Sequence, residues 1–170
     1  KQMKHTQFNE RNISMVMDMY ELTMSNGYLN KEFQDTIAVF DVFYRSNPDQ
    51  AGFAVFAGLE QVVEYVQNLH FSQEDIDYLR SKNLFTEEFL DYLLHFKFRG
   101  DIYAMPEGTI MYPNEPIVTV AAPLIDAQLI ETALLLEINH QSLIATKTNR
   151  IVRAAGGKPV SDFGAGRAHN

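Results

Sequence analysis

At 170 residues, 46% apolar and 21% charged, the chain can bury roughly 70% of its unfolded surface in one core, which excludes a disordered protein. A net charge of −8 excludes a general binder of nucleic acid or anionic membranes, since both need basic fields, although a local basic cluster can still hold a phosphate. The absence of cysteine removes disulfide frameworks and thiolate metal sites, and fits a cytoplasmic protein.

The opening stretch KQMKHTQFNERN is polar and lacks the apolar core of a signal peptide. The longest apolar run, IETALLLEI, is interrupted by Glu131 and Glu137 and falls far short of the ~20 residues of a membrane span. The next segment, VMDMYELTMSNGY, predicts a short helix with Asp18 as N-cap, Glu21 completing a capping box and Gly27 at its end. Tyr20 in its first turn reads as a half-buried aromatic whose flat face is also able to stack on a ligand ring.

DTIAVFDVFYR, residues 35–45, is apolar or aromatic at nearly every position, which predicts a strand buried on both faces with Asp41 interrupting one of them. SNPDQAG is a turn, FAVFAG a short strand, and LEQVVEYVQNL a helix with Leu59, Val62, Val63, Val66 and Leu69 on its apolar side. Two more short helices follow, one opened by Ser72 with Asp75 and one by Thr86. Residues 97–123 carry four of the six prolines and predict three short antiparallel strands near 99–105, 108–112 and 116–122.

From Leu124 the pattern is helical again, as one long helix or two ending at Gly156–Gly157. Within it Lys147, Arg150 and Arg153 share one flank, opposite an apolar side of Leu143, Ile144, Ile151 and Val152. Such a stripe meets water more often than phosphate. The final segment predicts a strand over Pro159–Phe163 running into a glycine-rich loop, SDFGAGRAHN. Small residues such as Gly164 let backbone approach a ligand closely there, with Arg167 as an anion clamp; a plain terminal turn fits the same pattern. A strand with no partner after it leads us to expect further chain beyond residue 170.

The five histidines are scattered, with no HExxH motif and no i, i+4 pair, so a metal site is not expected. Neither a nucleophile elbow nor a phosphate-binding P-loop is present. By residue pattern the chain is an α/β protein with a capacity for anions and no more.

The segments MDMYELTMSNGY, VFDVFYRSNP, GFAVFAGLEQVVEYV, INHQSLIATKTNRIVRAAG and SDFGAGRAHN stand in an order and spacing that resemble the N-terminal part of a nicotinate phosphoribosyltransferase. The resemblance implies a type II phosphoribosyltransferase-like α/β fold. Residues 1–123 would form an α+β N-terminal domain belonging to a split domain. Residues 124–170 would be the helices and first strand entering an irregular α/β barrel. It implies an enzyme that joins nicotinate to phosphoribosyl pyrophosphate for NAD biosynthesis, drawing on ATP with Mg2+ through a phosphohistidine. It also implies a homodimer whose active sites are built from both subunits.

Residue by residue, the resemblance assigns substrate binding to Asp18, Tyr20, Phe163, Gly164 and Arg167. Tyr20 would stack on the pyridine ring from the neighbouring subunit, and Phe163 would cover the opposite face at the C-terminal end of the first barrel strand. Arg167 would lie near the carboxylate and the phosphates. Gly166 departs from the family pattern, which has an arginine there, and none of the five histidines matches the phosphohistidine, so the 170 residues alone are expected to be inactive and no catalytic residue is assigned. A nicotinamide or quinolinate phosphoribosyltransferase is the near alternative, because two aromatic faces suit any pyridine. A non-catalytic oligomerisation module with the same N-terminal fold is the alternative from another class.

Overall fold

The computed structural model describes residues 12–47, 51–164 and 166. In chain order the elements are α1 (Met19–Asn30), β1 (Ile37–Phe43), β2 (Ala54–Val55), α2 (Leu59–Asn68), α3 (Gln73–Ser81) and α4 (Glu87–Leu94). They continue with β3 (Asp101–Ala104), β4 (Ile110–Met111), β5 (Pro116–Pro123), α5 (Leu124–Gln128) and α6 (Glu131–Ala154).

The proline-bracketed β5 is the middle strand of a three-stranded antiparallel sheet in the order β1-β5-β3. Its prolines stand at the two ends, where a missing N–H disturbs the ladder least. Rows such as Phe40, Val120 and Ile102 run across the sheet on its core side. On the opposite side Asp41 faces Thr119, whose hydroxyl donates to its carboxylate at 2.6 Å. β4 leaves the expected meander and pairs instead with β2 in a separate two-stranded sheet.

The expectation that β1 is buried on both faces is wrong. It is an edge strand, and Ile37, Val39, Phe40 and Phe43 are exposed. Apolar content on both faces was legible, but among the described residues nothing covers these side chains. The expected strand at Pro159–Phe163 is also not formed: residues 158–164 are neither helix nor strand. A strand needs a partner for its N–H and C=O groups, and no described residue supplies one.

The short helices follow their sequence signals. Ser72 and Asp75 form a full capping box on α3, and Thr86 Oγ1 accepts from Phe89 N at 3.3 Å to cap α4. Gly27 does not end α1, which runs three residues further to Asn30 and brings Tyr28 and Leu29 against the core. In α6 the expected apolar side is the wrong one. Leu143, Ile144, Ile151 and Val152 are exposed, while Ala133, Leu134, Ile138, Ser142 and Thr146 are buried.

That buried side is polar for a reason. Thr146 Oγ1 accepts from Val55 N at 2.8 Å, and Ser142 Oγ accepts from Ala57 N at 3.1 Å while donating to Ala57 O at 3.1 Å. Two hydroxyls of α6 thus satisfy the backbone of β2 and the turn after it, where strand pairing is lacking. The following residue, Gly58, lies so close that a Cβ would stand 2.7 Å from Glu137 O, at a φ of 104° that side chains avoid. Glu107 Oε1 then accepts from both Gly58 N and Leu59 N at 2.7 Å, placing a carboxylate at the start of α2 from the distant β3–β4 turn.

Asp126, fully buried in α5, accepts from Arg99 N at 2.7 Å and from the Arg99 guanidinium at 3.1 Å. Burial first and the neighbouring carboxylate second push the Tyr92 phenol beside it up to about 12, so it stays a neutral donor to Asp126. Removing this carboxylate strands a backbone N–H and breaks the tie between the β3 entry and α5. Asp126→Ala should therefore cost about 3 kcal/mol, read by urea denaturation of the full-length protein. Gly58→Ala should cost about 2 kcal/mol or more in the same assay, whereas Gly108→Ala, also at positive φ but with open space around it, should cost less.

Candidate active site

The first turn of α1 presents the residues singled out from sequence, but with altered partners. Asp18 has the extended backbone of an N-cap, yet its side chain makes no bond to its own helix, and the expected capping box does not form. Both acids turn outward to Thr132 in the first turn of α6. Glu21 Oε1 accepts from Thr132 N at 3.0 Å and contacts Thr132 Oγ1, while Asp18 Oδ2 lies 3.3 Å from the same hydroxyl. The N-cap of α6 is Ile130, which has no side chain to give its first N–H groups a partner. Glu21 fills that need, so a residue read as capping its own helix caps another one.

The consequence is a fully buried carboxyl. Burial lifts Glu21 above the usual carboxylate range, and the hydrogen bonds from Thr132 pull it only part of the way back. Among the described residues its second oxygen, Oε2, has no partner, and neither has the buried Ser25 Oγ one turn on or the hydroxyl of Tyr65.

Beside this junction lies a cavity of about 690 Å³, walled by the start of α1, the end of β1 with the loop after it, and α6. Asp18 and Tyr20 line it together, with Phe43, Arg45, Leu136 and Asn139 among their neighbours. The Tyr20 phenol is pushed up to about 12, by partial burial first and then by Glu131, Glu21 and Asp18. The ring is thus neutral in ordinary buffers, and its face is available to an aromatic ligand. Arg45 supplies the one guanidinium among the described residues of this wall. The sequence contained it within VFYRSNP but offered no reason to weigh it, because only the folded loop after β1 brings it to the cavity that Tyr20 lines.

The other candidates lie elsewhere. Phe163 is 91% exposed and takes no part in the cavity wall. Gly164 N donates to Asp162 Oδ1 at 2.6 Å, a local turn. Arg167 lies outside the described residues. Among the described residues no group of three or more histidines or carboxylates is arranged to hold a metal ion, so no step is assigned to Mg2+ on these side chains. Among them, too, no helix is long and apolar enough to cross a membrane.

Comparison with known proteins gives this geometry a context. Residues 15–139 match the family model described as the nicotinate phosphoribosyltransferase N-terminal domain. A nicotinate phosphoribosyltransferase of Mycobacterium tuberculosis is 45% identical over 156 residues, covering 92% of this chain and 34% of that protein. The Bacillus subtilis enzyme of the same name is 42% identical over 162 residues, covering 95% of this chain and 33% of its own. The chain thus spans about a third of the length of the curated relatives it matches. Among solved structures, human nicotinic acid phosphoribosyltransferase superposes with a TM-score of 0.78 at 30% identity, over 85% of this chain and 29% of that one. A nicotinate-nucleotide pyrophosphorylase from Pyrococcus furiosus superposes with a TM-score of 0.72 at 27% identity, over 99% of this chain and 36% of that one. Both neighbours share the type II phosphoribosyltransferase fold, a mixed helix and sheet architecture. With its family model matched across all of α1 to the middle of α6, the chain belongs to the nicotinate phosphoribosyltransferase family.

Proposed function

We propose that the protein carrying this chain makes nicotinate mononucleotide from nicotinate and phosphoribosyl pyrophosphate, as a step in NAD biosynthesis. The observation that carries the reading is one cavity wall bearing a neutral aromatic face, Tyr20, and a guanidinium, Arg45, in a chain of this family. Nicotinate is a flat aromatic anion, and a ring face with a cation is the pair of contacts it requires.

The reaction is a displacement at the anomeric carbon of the ribose. The pyridine nitrogen forms the new bond, and pyrophosphate leaves with the electron pair of the broken C–O bond. The transition state has oxocarbenium character, so the protein's part is to hold the nitrogen in line and to stabilise separated charge. Tyr20 and Asp18 serve the first task from α1; Phe163 and Gly164 are assigned to the other face of the ring, and Arg167 to binding the carboxylate and phosphates. ATP with Mg2+ would supply the driving force for the reaction when bound.

We assign Tyr20 to the site of a neighbouring subunit in a homodimer. The exposed apolar residues Val39 and Phe43 of β1 and Leu136 and Leu143 of α6 support that assignment, since surface of this kind calls for a partner. Residues 124–170 then lead from the N-terminal domain into the barrel, on the side where Phe163 is exposed.

Product formation from nicotinate, phosphoribosyl pyrophosphate and ATP by the full-length protein is the direct test, with nicotinamide and quinolinate as competing pyridines; a clear preference for either of these would replace the nicotinate reading. Tyr20→Ala should weaken nicotinate binding roughly tenfold, about 1.4 kcal/mol, by isothermal titration, with a stability loss under about 1 kcal/mol in thermal melts. Equal affinity with a lowered melting temperature would sink the assignment. If sites are shared, co-refolding Tyr20→Ala with Phe163→Ala subunits should restore roughly a quarter of wild-type activity, because half of the dimers would hold one intact site in two.

A further inference from the structure

The junction of Glu21, Thr132 and Asp18 contains an imbalance of hydrogens. Thr132 Oγ1 has one hydrogen and two lone pairs. Around it stand Asp18 N at 3.3 Å, Asp18 Oδ2 at 3.3 Å and, closest of all, Glu21 Oε1. With both carboxyls ionised, the one hydrogen of Thr132 serves two acceptors and can satisfy only one of them in full. With a proton on Glu21 every position is filled. Glu21 donates to Thr132 Oγ1, Asp18 N donates to it as well, and the Thr132 hydroxyl donates to Asp18 Oδ2.

We propose that Glu21, as a neutral carboxylic acid working through Thr132, is the positioning residue that holds Asp18 and the Tyr20 ring against the cavity wall. The assignment rests on the functional reading given above. It touches no substrate: Glu21 is buried behind the wall, while Asp18 and Tyr20 form it.

Burial and the charges around it favour the neutral form, against the opposing pull of hydrogen bonds from Thr132 and the Asp18 backbone. Glu131 faces Glu21 from α6 and Asp18 from the start of α1, both of them acids. Tyr65 faces it from α2, its buried hydroxyl without a partner, and Tyr20 adjoins it on α1. α5, which packs on α1, has Asp126 as its titratable residue, and Arg99 holds that carboxylate. None of these groups is a cation able to pair with an ionised Glu21. The unpartnered Oε2 is tolerable as the carbonyl oxygen of an acid and far costlier as half of a carboxylate. Burial raises the carboxyl in the same direction.

A sign follows for pH. The native state keeps a proton that the unfolded chain releases at an ordinary carboxylate pH, so the stability of the junction is complete in acid. It is lost as pH rises through the raised native value. Ionised, Glu21 no longer donates to Thr132, and the start of α1 loosens from α6.

The test uses the full-length enzyme. Infrared difference spectra of wild type against Glu21→Gln should show a protonated carboxyl near neutral pH that the variant lacks. By titration calorimetry, Glu21→Ala and Thr132→Val should raise the Kd for nicotinate about five- to tenfold, and Glu21→Gln should return it to within about threefold of wild type. Thr132→Val keeps the shape of the side chain, so it separates the missing hydroxyl from a failure to fold. Wild-type affinity should fall towards alkaline pH, while that of Glu21→Gln stays level. A carboxylate signal throughout, or a Thr132→Val protein that binds as wild type does, would overturn the proposal. A wild-type protein that binds no nicotinate while still showing the protonated carboxyl would overturn the functional reading, and the positioning role with it.

Discussion

One helix sets the register of nearly everything else. Along a single side of α6, Thr132 takes Asp18 and Glu21 from α1, the backbone at Glu137 lies against Gly58 at the head of α2, and Ser142 and Thr146 bond to the backbone around β2. These are short polar contacts and a close backbone approach, not an apolar seam. They demand tight distances, and a shift of α6 by one turn would leave buried N–H groups without partners at three places together. The apolar core cluster, from Leu22 to Ile138, supplies the bulk of the driving force but tolerates more slippage than these bonds do.

The cavity inherits its chemistry from that arrangement. Because α1 is tied to α6 by two acids, Tyr20 enters a strongly negative corner, where its hydroxyl bonds to Glu131 and its ring face is left to the cavity. The end of β1 and the loop after it bring Arg45 into the lining of the same space. A ring and a cation facing one cavity are suited to an aromatic acid, which is the ligand class proposed for this family member. The exposed apolar rows of β1 and α6 flank this space, consistent with a site completed by more protein than one copy of this chain.

Local signals in the sequence were read correctly where the partners are local. Ser72 with Asp75 and Thr86 each cap the helix they precede, because the N–H groups they satisfy lie three residues away. The prolines around 97–123 marked the short strands for the same reason, since a proline's constraint acts on its own backbone. Asp18 and Glu21 have an equally good local signature, yet a distant helix with an uncapped N-terminus competes for them and wins. The apolar side of α6 was misjudged because nothing along the chain marks Ser142 and Thr146 as inward-facing. Their hydroxyls are buried because the β2 backbone needs donors and acceptors that its short pairing cannot supply.

By itself, the sequence determined the order of the helical and β-rich segments, the family, and the place of Tyr20 in the first turn of a short helix. All of these depend on periodicity, turn residues and ordered motifs, which act along the chain. The tertiary structure alone decided that Arg45 shares a cavity with Tyr20 and that Glu21 is buried against Thr132, 111 residues away. The reason is the range of the forces. A cap or a turn is settled by neighbours in sequence, but the protonation and partners of a buried acid are settled by whichever groups the completed fold places around it.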